Sequence, residues 1–231
     1  MIDSSEYEAY LREEWLLFSA DTARQNESSR VMDDIHVQRV LDVGCGGGQE
    51  MIPFVTRGAA CVGIDITHAS GVFAGRMFGE RFPERSVRFA TAAAEQLPFA
   101  GSVFDVVLCR VSIPYTDNRA ALSEIARVLR PGGILLLKTH HLRFYTRKFA
   151  DGVRQRSPLF SVHALRVLIS GAIFHLTGRQ PSGGLLLRES FMTEGLLRKQ
   201  LGRIGLTIDG ELSDSNPFTP SYRIVKRAVP A

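Results

Sequence analysis

The stretch Val40-Leu41-Asp42-Val43-Gly44-Cys45-Gly46-Gly47-Gly48-Gln49-Glu50 decides the fold of this chain. Apolar residues and an aspartate lead directly into a glycine cluster. An apolar strand, a glycine turn and then a helix let the backbone approach a nucleotide closely. The spacing narrows the ligand. A dinucleotide fingerprint needs a third glycine three positions after the second, and Gln49 occupies that place. What remains is Gly44-x-Gly46-x-Gly48 preceded by Asp42.

Outward from this run, strand and helix patterns alternate. Short β-rich runs fall at Arg39–Val43, Cys61–Asp65, Val87–Ala90, Asp105–Cys109 and Ile134–Thr139. Helical patterns lie between the first three of these. Another covers Asn118–Leu129, where Pro131-Gly132-Gly133 is expected to stop the helix. Such alternation implies a parallel sheet with helices on both faces. The first 35 or so residues read as a helical appendage with an aromatic stripe, Tyr7, Tyr10, Leu11, Trp15 and Phe18. Residues 140–184 show no obvious strand. Within them Leu159–Leu176 is strongly apolar and of marginal length for a bilayer span, so a buried or interface helix is expected rather than a transmembrane one. A helix near Met192–Ile204 follows, then strands at Leu206–Leu212 and Ser221–Arg227. The link Asn216–Pro220 is too short for a crossover helix, so these last strands should pair antiparallel.

Composition is that of an ordinary globular chain: 231 residues, 45% hydrophobic and 23% charged, with net charge +4. The mild basicity permits acidic partners without demanding them. Cys45, Cys61 and Cys109 form no C-x-x-C pair, so neither a disulfide frame nor a metal site is expected; they read as small buried hydrophobes in a reducing cytoplasm. The polar, acidic start Met1-Ile-Asp-Ser-Ser-Glu does not read as a signal peptide. A cytoplasmic protein is expected, monomeric or homodimeric, with no transmembrane segment.

Taken together, the glycine run, Asp65 in Val62-Gly-Ile-Asp-Ile66, and Leu122-Ser-Glu-Ile-Ala-Arg-Val-Leu-Arg-Pro-Gly-Gly133 resemble class I S-adenosylmethionine-dependent methyltransferases. The likeness is to the small-molecule, methyltransferase-domain type 11-like branch. It covers residues 36–139 by motif and the rest by element order. It implies a three-layer Rossmann-like α/β fold: a seven-stranded sheet, parallel except for the last strand, with an N-terminal helical cap (1–35) and a helical insertion (140–184). The core (36–139) and a C-terminal part (185–231) complete one domain.

Ligands in such sheets bind beyond the carboxyl ends of the strands. The resemblance places the methionine part of S-adenosylmethionine on the loop of Asp42, Gly44, Cys45, Gly46 and Gly48. Asp65, about 20 positions after Gly44, suits two ribose hydroxyls, with a solvated strand-end aspartate as the rival reading. Ile66 would pack on the adenine. Thr91-Ala-Ala-Ala-Glu-Gln-Leu-Pro-Phe99 resembles the family's Gly-Asp-Ala-Glu-x-Leu-Pro-Phe segment, with Ala93 in the aspartate position. One base contact is thereby missing, while Ala94 and Glu95 are retained. Cys109 and Arg110 end the fourth strand beside the same cofactor. The product would be S-adenosylhomocysteine.

Three residues are candidates for the chemistry. His140 and His141 follow the fifth strand, where a histidine near its free pKa could take a proton from an attacking hydroxyl. Polar capping of the strand is the competing reading, and alternation does not rank the two. Ser112-Ile-Pro-Tyr115 resembles an amide-methyltransferase motif only by coincidence of spacing, yet Tyr115 could line an acceptor pocket. Acceptor choice should reside in the N-terminal stripe, where Tyr10 or Trp15 could touch the cofactor and Arg24 its carboxylate, and in the basic, aromatic insertion. The expected activity is methylation of a small or medium-sized organic acceptor, oxygen slightly favoured. The alternative is a nucleic-acid or protein methyltransferase docking through the basic insertion, the former binding with steep salt dependence.

Overall fold

The computed structural model describes residues 4–181, 183 and 188–227. Two helices lead, α1 (Ser4–Ala20) and α2 (Thr22–Asp34); Asp21 caps α2 by accepting from the Arg24 N–H at 2.9 Å. The core then runs β1 (Arg39–Val43), a short 3-10 turn (Gln49–Met51), α3 (Ile52–Thr56), β2 (Ala60–Asp65), α4 (His68–Arg81), β3 (Val87–Thr91) and β4 (Phe104–Arg110). A second 3-10 turn (Ile113–Tyr115) precedes α5 (Asn118–Val128) and β5 (Leu129–Lys138). The remainder is α6 (Leu142–Arg154), α7 (Pro158–Thr177), α8 (Glu194–Arg203), β6 (Leu206–Glu211) and β7 (Ser221–Lys226).

The strands form one seven-stranded sheet in the order β3-β2-β1-β4-β5-β7-β6. Neighbours from β3 to β5 are parallel, and β7 runs antiparallel to both β5 and β6, as the short link between the last strands required. Alternate residues of the central strands feed opposite faces. Leu41, Val107 and Leu135 pack with Leu122 and Ile125 of α5 and Leu197 of α8. Val40, Val106 and Ile134 pack with Trp15, Phe18, Phe54 and Phe78 on the other side. Covered on both faces, β4 is buried along its length except at Arg110. The strand order reverses between β1 and β4, which opens a crevice at their carboxyl ends.

Three details depart from the sequence-based expectation. The helix at Asn118 ends at Val128 rather than Leu129, and Pro131-Gly132-Gly133 lies inside β5, not in a loop before it. The chain accommodates it with a register shift opposite Phe104 and Val106 and a left-handed Gly132 (φ 76°). Gly133 has no room for a side chain: a Cβ there would sit 2.9 Å from the Asp105 carbonyl. The apolar helix expected over Leu159–Leu176 is α7, but only 28% of its apolar window is buried. Among the described residues it is the one helix whose length and composition would let it cross a membrane.

Candidate active site

The site grows from the end of β1. Gly44 and Cys45 both donate to the Ile64 carbonyl, at 2.8 and 2.9 Å, which turns the chain sharply over β2. Gly44 is left-handed (φ 70°), and a Cβ on it would lie 2.4 Å from Cβ of Ser112. Glycine is therefore obligatory on two counts. Asp65, at the end of β2, accepts from the Gly46 N–H at 3.0 Å and the Thr67 N–H at 2.8 Å, locking its carboxylate beside the loop. The chain after β4 closes the other wall. There Val111 is held at φ 69°, a strained conformation for a β-branched residue, with its N–H on the Lys138 carbonyl at 2.9 Å.

Over this floor lies a cleft of two lobes that share Tyr10, Leu11, Gly44, Gly46, Arg110 and Val111. The smaller lobe, about 250 Å³, is lined by the acids Glu14, Asp42 and Glu50 and by the cations Arg24 and Arg110. Asp42 is almost wholly buried, and its Oδ2 has no hydrogen-bond partner among the described residues. Burial first, then the charges of Glu50 and Asp65, push its carboxyl well above the usual carboxylate range. Arg24 and Arg110 both pair with Glu50. Arg110 also pairs with Asp214, which Lys138 contacts at 2.8 Å, and donates to the Ser221 hydroxyl at 2.7 Å. Burial works against the Asp214 charge, but Arg110 and Lys138 outweigh it and hold its carboxyl below the ordinary range. Opposite charges thus face one another across a recess.

The larger lobe, about 420 Å³, is lined by Asp65, Ile66, Ala93, Ala94 and Glu95 on the sheet side and by Tyr7, Tyr10 and Leu11 of α1 above. Ile66 is 77% exposed toward this side, although a strand-end isoleucine ordinarily buries itself. Glu95 is held by the Asp117 N–H at 2.9 Å and by Arg188 at 3.4 Å. One lobe is zwitterionic; the other is mainly apolar and aromatic, with Asp65 at the loop and Glu95, paired with Arg188, at its far wall. That division fits an amino acid joined to a nucleoside. Ala93 offers no acceptor side chain, so this wall presents only backbone polar groups beside Glu95.

Not every predicted residue reaches the cleft. Cys109 is wholly buried and its thiol meets the Ser112 hydroxyl at 3.0 Å; burial pushes it up to about 12. Gly48 (φ 77°) packs beneath Phe89 and Phe78 instead of lining either lobe. Both act on the loop from below. Trp15 is likewise in the core, edge-on to Phe78 at 5.1 Å, while Tyr10 does line the cleft and Arg24 stands at its acidic end. Cys45 lines the smaller lobe, its thiol pushed well up by burial and by Asp42 and Asp65.

The two histidines separate clearly. His141 caps α6, its Nδ1 accepting from the Arg143 N–H at 3.3 Å, and it lines neither lobe. His140, which also lines neither lobe, is buried between Phe144, stacked at 4.0 Å, and Tyr115, edge-on at 6.1 Å. Burial, with the charges of Lys148 and Lys138, lowers it to about 4, so it is neutral at physiological pH. Tyr145 donates to Glu189 at 2.7 Å, so its oxygen accepts from His140 Nδ1 at 2.9 Å. That leaves Nε2 as the acceptor. Tyr115 itself lines the larger lobe, with its phenol raised to about 12 by burial and then by Glu189. Tyr7, Leu11, Ser112, Thr116 and Arg188 were not foreseen as lining residues. Tyr7 and Leu11 had left a trace as members of the N-terminal stripe and Ser112 as the start of Ser112-Ile-Pro-Tyr115, whereas Thr116 and Arg188 had left none.

With this geometry in place, the comparisons are decisive for the domain. Residues 41–137 match the family described as "Methyltransferase domain". The chain carries a methyltransferase domain. It is similar to "Uncharacterized methyltransferase YcgJ" of Bacillus subtilis, 38% identical over 104 residues, which is 45% of this chain and 41% of that protein. It also resembles "Ubiquinone biosynthesis O-methyltransferase" of Rhizobium etli, 31% identical over 133 residues, covering 57% of this chain and 50% of that one. The chain therefore spans between two fifths and half of these curated relatives. Among solved structures, magnesium protoporphyrin IX methyltransferase from Synechocystis PCC 6803, with bound SAH, superposes with TM-score 0.59 at 21% identity, over 88% of this chain and 83% of that one. The methyltransferase domain thus has the class I fold, and its matched segment is the one that builds the loop, Asp65 and the β4 wall.

Proposed function

We propose that this protein transfers the methyl group of S-adenosylmethionine to a small or medium-sized organic acceptor, with oxygen the favoured receiving atom. The observation that carries this reading is the two-lobed cleft, zwitterionic over the glycine loop and nucleoside-shaped over Asp65. S-adenosylmethionine, when bound, supplies a methyl group activated on a sulfonium. The chain's residues bind and orient. Asp42, orphaned and buried, suits an ammonium group, and Arg24 and Arg110 suit a carboxylate. Asp65 holds ribose hydroxyls, and Ile66, Ala93 and Ala94 flank the base. Holding two reactants in line can contribute on the order of 7–11 kcal/mol to lowering the barrier.

The acceptor would enter past Tyr115, Thr116, Tyr7, Tyr10 and Arg188, which line the larger lobe away from the loop. An aromatic wall with one arginine favours a planar, partly anionic molecule. The names of the relatives support oxygen as acceptor, since several are O-methyltransferases. Neutral His140, one ring behind Tyr115, is the better placed of the two histidines, and it acts as a positioning group for Tyr115 rather than as a base on the acceptor. Tyr115, neutral with its raised pKa, serves as a donor and not as a base. Residues 1–35 act as a cap and 140–184 as an insertion on one domain.

Calorimetry with S-adenosylhomocysteine tests the cofactor. The protein is expected to release heat, and Asp65→Ala to abolish it; a silent titration of the intact protein would overturn the reading. A labelled-methyl assay over a panel of phenols, catechols and carboxylic acids then identifies the acceptor class.

A further inference from the structure

Helix α7 is apolar on both sides. Its inner face presents Ala164, Val167, Gly171 and Phe174 to the protein, all buried. The opposite face carries Val162, Leu165, Ile169, Ala172 and Leu176, spaced three and four residues apart in one stripe. A surface helix ordinarily places polar residues there. Instead Leu176 is 87% exposed, and Leu159, at the helix start, 81%. No acid lies on α7, and residues 140–184 hold seven Lys or Arg against Asp151 alone. Arg154 and Arg156 are exposed at the turn from α6 into α7, next to exposed Val153 and Phe160.

A cavity of about 530 Å³ adjoins this ridge. Phe144, Phe160 and Phe218 form its apolar walls; Arg147 and Lys148 stand among them, with Asp151, 3.7 Å from Arg147, as the one acid. The Arg147 guanidinium lies over the Phe218 ring at 5.0 Å. The recess is apolar inside with cations beside it, the chemistry that accepts a hydrocarbon chain bearing an anionic head.

We infer that the α6–α7 hairpin docks this protein on an anionic lipid bilayer, with α7 lying in the interface plane and its Val162–Leu176 stripe sunk among the acyl chains. Apolar side chains ringed by arginines match the two attractions that hold a surface helix: buried area and the negative potential of anionic lipid. A second copy of this chain is the weaker occupant. One helix of 20 residues is about 30 Å long, and a single helix-on-helix contact falls short of the roughly 1,200–2,000 Å² that stable interfaces bury. Nucleic acid would engage the arginines and leave the leucine stripe in water.

The test is flotation of the full chain with vesicles of phosphatidylcholine alone or of phosphatidylcholine with phosphatidylglycerol. The protein is expected to float with the anionic vesicles, and to lose most of that binding near 1 M salt, where the Debye length is about 3 Å. Arg154→Ala with Arg156→Ala should weaken it roughly thirtyfold, two cations' worth. Leu165→Glu with Ile169→Glu should weaken it at least about tenfold, with unchanged melting and unchanged S-adenosylhomocysteine affinity showing that the fold is intact. No flotation of the wild type at low salt overturns the inference. So does a dimer, seen by sedimentation, that the glutamates dissociate, or retention on duplex DNA that depends on the arginines but ignores the glutamates. Flotation, sedimentation and melting need neither cofactor nor turnover, and melting by itself reports an intact fold, so failure here leaves the methyl-transfer reading standing, and the reverse.

Discussion

The glycine-loop cleft and the α6–α7 hairpin solve opposite problems with the same chain. In the cleft, backbone amides and buried charges converge from β1, β2, β4 and α2, and most polar groups are matched. The exceptions all line the smaller lobe: Asp42 Oδ2, Gln49 Oε1 and the Nε atoms of Arg24 and Arg110. On the hairpin the side chains diverge, and apolar surface is left facing outward. A converging polar site recognises one small molecule through fixed directions; a diverging apolar ridge recognises a medium. Substitutions should therefore act sharply in the first region and weakly, additively, in the second.

The largest effect expected is at Asp65. On the proposed reading Asp65 accepts two charge-assisted hydrogen bonds from the ribose, each worth roughly 2 kcal/mol, so Asp65→Ala should weaken S-adenosylhomocysteine about a thousandfold in calorimetry. A loss under tenfold would mean the carboxylate serves only Gly46 and Thr67. Next is Gly44→Ala, where a Cβ at 2.4 Å from Ser112 adds to left-handed strain; thermal unfolding should show a loss of about 3 kcal/mol. Gly46→Ala meets only Leu11 at 3.5 Å and should cost about half as much. Equal losses would break the account of the turn.

His140 links the two regions, since one face of its ring meets Phe144 of α6 and its edge meets Tyr115. Its pKa is depressed in the fold, to about 4 from 6.5. Neutral in both states above pH 6.5, it contributes in full there. Below that the unfolded chain takes up a proton that the folded chain refuses, and the stability is lost as pH falls toward 4. The difference between wild type and His140→Gln in denaturant titrations should thus narrow by roughly 3 kcal/mol across that window. A flat difference would place His140 in a wetter environment than the structure gives it. Smallest is the control across the comparison: Leu165→Glu with Ile169→Glu should leave cofactor affinity within about twofold, because exposed positions rarely move stability by more than roughly 0.5 kcal/mol.

Much of the site was legible because it is written in contiguous residues. Gly44, Gly46 and Asp65 announce themselves by spacing, and they do line the cleft. Cys109 and Gly48 show the limit of that method: adjacency along the chain placed them at the site, but side-chain direction sends the Cys109 thiol to Ser112 and sets Gly48 against the Phe78–Phe89 pair. Period alone could not rank His140 and His141. The start of α6 did so, by claiming His141 as its cap. Burial around Phe144 and Tyr145 took His140 inward. The Glu50–Arg110–Asp214 pairing was invisible, since its members lie far apart in the chain and meet only when β4 and the β6–β7 link come together.

What the sequence by itself determined is the local chemistry of the loop and the order of the layers: glycine at left-handed positions, alternation of strand and helix, a short final link that forces antiparallel pairing. These follow from backbone sterics and periodicity, which act within a few residues. Only the tertiary structure decided which charges share a recess, which tyrosine faces the cleft, and that the apolar helix α7 keeps one whole side uncovered among the described residues. Those depend on what packs against what, and packing joins residues that the chain holds apart.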